Sequence, residues 1–186
     1  LHLPLIFIMG AALRPVDVRR LCRWICVIAV AMLPLLIVQF LSSPESFVNT
    51  VAGGEGLQIS SAMGKIRTPG SFSYILGVVY FYSLVLAVAL TAEMETAYVT
   101  SWLRRSAIAA TMLVAALAGS RALLVSLAIV LIAPFFVILI NRSYIGRTIL
   151  LLILMLFVLL LASTTSIFKS GIEVTGARIE SASEGS

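Results

Sequence analysis

Residues 122–140 read ALLVSLAIVLIAPFFVILI, nineteen consecutive positions without a charged side chain. A helix of that length covers about 28 Å at 1.5 Å per residue, close to the roughly 30 Å hydrocarbon core of a bilayer. The run is too long for a strand, and backbone in lipid must satisfy its own hydrogen bonds, so the stretch reads as a transmembrane helix. Working outward, the same pattern recurs at 21–41, 72–91, 106–119 and 148–168, with a shorter run at 1–13. Polar connectors separate these runs. The expected fold is all-α: one polytopic transmembrane helix bundle over 1–186, with about five full spans plus one truncated N-terminal span.

Composition agrees. The chain is 61% hydrophobic and 11% charged, against roughly half and a quarter in soluble domains, so it cannot hide its apolar surface in water. Segment 1–13 is apolar from its first residue, with no charged region before it and no small-residue cleavage site after it. That is the pattern of a cut span rather than a signal peptide. The chain therefore reads as an internal piece of a longer protein.

Basic residues cluster on cytoplasmic loops of membrane proteins. One side of the alternation carries eight of them, Arg14, Arg19, Arg20, Arg23, Arg104, Arg105, Arg142 and Arg147; the other carries five, Lys65, Arg67, Arg121, Lys169 and Arg178. Acids divide the opposite way, with Asp17, Glu93 and Glu95 on the first side and Glu45, Glu55, Glu173, Glu180 and Glu184 on the second. The first side is assigned to the cytoplasm of a bacterial inner membrane, which makes 42–71 a periplasmic loop and 169–186 the start of a larger one. The net charge of +5 then resides on the cytoplasmic loops, where it serves topology and contact with membrane lipids, not nucleic acid.

Several features carry no chemistry. Cys22 and Cys26, one helical turn apart without histidine or acid nearby, read as helix packing rather than a metal site or disulfide. Gly53-Gly54-Glu55-Gly56 has neither a following Lys-Ser/Thr nor a preceding strand, so it is a flexible loop and not a phosphate loop. His2 is incidental, Glu93 and Glu95 occupy a short connector, and Pro34 and Pro134 mark kinks. Apart from His2 at the end of the truncated first span, no Asp, Glu or His lies within a span to serve as a relay for coupled transport.

The outer-face cations are different. Segment 106–119 covers only about 21 Å as a helix, so either its Leu103 end also inserts or Arg121 is drawn inward. The next apolar run begins at Ala122, which places Arg121 at a helix start beside free backbone N–H groups. A guanidinium there is an anion site, because the helix dipole favours negative charge and the planar fork holds phosphate oxygens two at a time. Snorkelling to lipid phosphates accounts for one arginine. It does not account for Lys65 and Arg67 just before the turn Pro69-Gly70, or for Arg178 in the outer tail, all on the same face.

Arg67-Thr68-Pro69-Gly70-Ser71-Phe72, leading into a span, resembles a motif of the O-antigen ligase and O-antigen polymerase family. Gly119-Ser120-Arg121-Ala122-Leu123-Leu124 is similar to that family's S-R-G-x-L-L element, with Ala122 where glycine is commoner. Arg178 looks like the opening of the large periplasmic loop those proteins carry. The resemblance spans roughly 60–180 and implies a glycosyltransferase that moves a glycan from undecaprenyl diphosphate to a glycan or lipid acceptor, without metal or other cofactor. It implies that Arg67 and Arg121 are catalytic, holding the pyrophosphate and stabilising it as it leaves, and that Arg178, Lys65, Ser120 and Gly70 contact substrate. Glu173 and Glu180 are candidates for the acceptor's base, though solvated loop acids are the simpler reading. The competing expectation is a transporter or flippase for an anionic lipid or solute, which would need a polar path beyond Ser126 toward the cytoplasm.

Overall fold

The computed structural model describes residues 14–50, 66–94, 98–118 and 120–140, with isolated positions 145, 146, 149, 153 and 173 beyond them. The expected spans 1–13 and 148–168 lie outside this set, apart from single positions in the latter. Among the described residues there are four α-helices and no strand. They are α1 (Pro15–Leu41), α2 (Ile75–Met94), α3 (Ser101–Leu117) and α4 (Arg121–Ile140), with a 3-10 turn at Phe47–Asn49 after α1. Helix α1 packs mainly on α3, α4 mainly on α2, and α2 and α3 pack on each other.

Helix α1 starts six residues before the apolar run does. Pro15 occupies its first position, where a missing N–H costs nothing, and Asp17 Oδ2 accepts the Arg14 N–H at 3.2 Å. Arg19, Arg20 and Arg23 are therefore helical, about one to three turns in. From Trp24 to Leu41 no charge occurs, about 27 Å of helix. Pro34 faces outward and the helix runs through it unbroken.

The buried stripe of α1 is Cys26, Ala29, Met32, Leu36, Gln39 and Phe40, the three- and four-residue spacing of one helix face. Its Cys26, Ala29, Met32 and Leu36 share one core with Val78, Tyr82, Val85 and Ala89 of α2, Ala107 of α3 and Ala118 just past its end. Small residues let these backbones approach closely, as helices do in lipid. Outward faces are apolar too: Ile28, Val38, Leu76, Leu84, Ile129 and Ile132 stand exposed. A helix in water would be polar there. By length and composition, Pro15–Leu41 and the Ile75–Ala92 part of α2 can cross a membrane.

Helix α3 reaches beyond the short segment 106–119. It begins at Ser101, so the Leu103 end belongs to the helix and α3 is 17 residues long, about 25 Å. Arg104, expected in a connector, is instead 3% exposed. Its Nη1 donates to the Ala92 carbonyl at 3.1 Å, a cationic cap on the last turn of α2.

Tyr82 sits at the centre, fully buried, with its hydroxyl donating to the Ala29 carbonyl at 2.9 Å and its ring edge-on to Phe81 at 5.4 Å. Tyr82→Phe keeps the packing and removes only that bond. The expected loss is about 0.5–1.5 kcal/mol, read as a lower midpoint in a denaturing-detergent titration of the purified protein. An unchanged midpoint would mean that the α1–α2 contact does not use the hydroxyl.

Candidate functional site

The end of the bundle opposite the α1 arginines is built around Gln39. Its side-chain amide pairs with the peptide of Gly70: the Gly70 N–H donates to Oε1 at 2.8 Å and Nε2 donates to the Gly70 carbonyl at 3.0 Å. Nε2 also reaches the Val48 carbonyl at 3.2 Å. Asn49, fully buried, donates through Nδ2 to the carbonyls of Gln39 in the last turn (3.2 Å) and of Ser43 just past it (2.8 Å), acceptors that the helix end leaves open. One amide in the last turn of α1 thus ties down both the chain leaving that helix and the chain entering α2.

The entering segment is a strap. Ile66 and Thr68 are buried, and Pro69 opens a turn closed by the Phe72 N–H to the Pro69 carbonyl at 3.1 Å. Gly70 holds φ +64°, and a Cβ there would sit 2.6 Å from Met32 Cε. Glycine is required by the left-handed backbone; the contact is with the flexible end of Met32, which can move aside. Arg67 rides on this strap, half-buried. Its Nε, the hydroxyl of Thr68 and Oδ1 of Asn49 are buried without a hydrogen-bond partner among the described residues. Such groups are uncommon and call for a function or a bound molecule to complete them.

Arg121 is the first residue of α4 and is exposed. Ser120 caps the helix, its Oγ accepting the Leu123 N–H at 3.4 Å, so the residue expected to touch substrate has a structural task at its hydroxyl. Ser83 of α2 donates to Ser126 of α4 at 2.8 Å, which sets the two helices' register. Arg121 lies five residues before Ser126 and Ile75 lies eight before Ser83, so α4 begins about 4–5 Å short of the start of α2 along the bundle. Arg67 and Arg121 come from segments 54 positions apart and share one end of the bundle; among the described residues neither has an ion-pair partner, and no hydrogen bond joins them.

Gly70 also falls at this end, but both its backbone groups are engaged by Gln39, so its part is to shape the strap. Lys65 and Arg178 lie outside the described residues. Gln39 and Asn49 were not anticipated as site residues. Gln39 had a signal, being the one amide in the apolar run 21–41; Asn49 had none in an open loop. No family model, no curated protein and no solved structure matches this chain.

Proposed function

We propose that the chain is part of an inner-membrane glycosyltransferase of the O-antigen ligase or polymerase kind, working at the periplasmic surface on a glycan carried by undecaprenyl diphosphate. Arg67 and Arg121 hold the pyrophosphate. The acceptor hydroxyl oxygen bonds to the anomeric carbon, the bond from that carbon to the diphosphate oxygen breaks, and the two guanidinium groups stabilise the charge that builds on the departing diphosphate. The acceptor's proton passes to a base, for which Glu173 and Glu180 are the nearest carboxylates in sequence to Arg178. Diphosphate leaves as an anion, so no acid need protonate it and no metal is invoked.

The observation that carries this reading is the pair of arginines from distant segments at one end of an apolar bundle, without carboxylate partners among the described residues. On the strap that carries Arg67, two donors are buried without a partner among the described residues, Arg67 Nε and Thr68 Oγ1. An anion rich in acceptor oxygens fits that set. The transport alternative is less well served. Ser126, where a polar path would begin, is closed within the protein: it donates to the Leu123 carbonyl at 3.0 Å and accepts from Ser83.

The reading requires both arginines to face the periplasm. In a background lacking Cys22 and Cys26, cysteines at positions 67 and 121 should react with a membrane-impermeant maleimide in cells whose outer membrane alone has been permeabilised. A cysteine at position 20 should react only after the inner membrane is opened. Protection of either 67 or 121 until that point would end the proposal.

A further inference from the structure

At the arginine-bearing start of α1 lies a cleft of about 260 Å³. Val18 and Cys22 of α1, Ala87, Thr91 and Ala92 of α2, and the ring of Tyr98 form its wall. Thr91 contributes little polarity, because its hydroxyl donates to the Ala87 carbonyl of its own helix at 2.8 Å. The wall is apolar; the mouth is cationic. Arg19 Cζ stands 5.8 Å from the centre of the Tyr98 ring, a cation–π distance that holds the guanidinium on the rim. Arg23 follows one turn along the same stripe of α1, and both are exposed.

Asp17, the acid of this turn, accepts the Arg14 N–H through Oδ2. Trp24 and Trp102, 62% and 75% exposed, stand at the same end. Exposed indoles at the end of an apolar bundle mark the headgroup level. An apolar wall beneath a cationic, tryptophan-edged mouth suits a lipid whose chain lies along the wall and whose phosphate meets guanidinium. A zwitterionic headgroup brings its own cation, which Arg19 and Arg23 repel. We infer that this cleft is a binding site for an anionic phospholipid of the leaflet facing the α1 arginines. The inference rests on the membrane placement above and not on glycan transfer.

The protein carries its own reporters, since Trp24 and Trp102 are its two tryptophans. The full chain is reconstituted in phosphatidylcholine vesicles containing equal fractions of either brominated phosphatidylglycerol or brominated phosphatidylcholine, and tryptophan quenching is compared. Phosphatidylglycerol should quench preferentially by about ten-fold or more, and Arg19→Gln or Arg23→Gln should each lower that preference by about five-fold. Ala87→Leu, which fills the cleft and leaves the arginines in place, should lower it too. Thr91→Leu, at an exposed position, repeats the test should the first variant fail to insert.

Equal quenching by the two lipids would overturn the inference. So would a preference that falls with the arginine variants but survives both cleft-filling ones, the mark of diffuse attraction to a basic surface. Glycan transfer separates the two proposals: its absence from membranes holding the complete enzyme would end the glycosyltransferase reading and leave the lipid result standing.

Discussion

Arg121→Lys is expected to lower glycan transfer from the lipid-linked donor by about 100-fold or more, the scale on which removing one charge-stabilising donor acts in other enzymes. Lysine keeps the positive charge but loses the planar fork that binds two phosphate oxygens at once. Exposure of Arg121 at the start of α4 makes the substitution a test of chemistry rather than of folding, because no packing is disturbed. Arg67→Lys should act in the same direction and additionally removes the buried Nε. The double variant should lose less than the product of the two single losses, since both groups address one diphosphate. The measurement is single-turnover transfer in reconstituted membranes, with kcat and KM resolved. Undiminished kcat in Arg121→Lys would remove that residue from the mechanism and leave it the part of a snorkelling arginine.

The helices were legible in the sequence because lipid imposes one strong rule, that about twenty uncharged residues in a row must be helical. Their ends were not. Hydropathy starts the run at Leu21, whereas the α1 backbone is helical from Pro15 through Arg19 and Arg20. The same error hid Arg104: a charge next to an apolar run looks like a loop, yet this one is buried and spent on the Ala92 carbonyl. At the candidate site, local signals were read and distant ones were not. Pro69-Gly70 announces a turn, and Gly70 does hold the left-handed φ of one. Nothing local to Gly70 says that its peptide is matched by an amide 31 positions earlier. The start of α4 at Arg121 was recoverable because a cap and a charge adjoin an apolar run.

Gln39→Leu carries a large expected cost to stability. Leucine fills a similar volume, so the change removes hydrogen bonds and little packing. It orphans the Gly70 N–H, the Gly70 carbonyl and the Val48 carbonyl in one step. Each buried orphan costs about 1–3 kcal/mol, reduced here because this end of the bundle lies near water and the half-buried Val48 can rehydrate. A total of roughly 2–5 kcal/mol follows from that range. Gln39→Glu should cost at least as much: a carboxylate oxygen can still accept from the Gly70 N–H, but the buried charge then faces the Gly70 and Val48 carbonyls and is repelled by both.

Unfolding should begin locally. Segments 42–50 and 66–72 are each fastened to α1 through Gln39 or Asn49, while the middle of α1 is held independently by Tyr82 and the apolar core. Hydrogen exchange should therefore show lost protection at the Gly70 amide and unchanged protection around Ala29. Arg67, three positions from Gly70 on the freed strap, should lose its fixed position, so transfer should fall through kcat with the Arg121 side of the site intact. Retained protection at Gly70 in Gln39→Leu would mean that the turn at Pro69 holds the strap without help, and that the arginine is positioned by something other than this clamp.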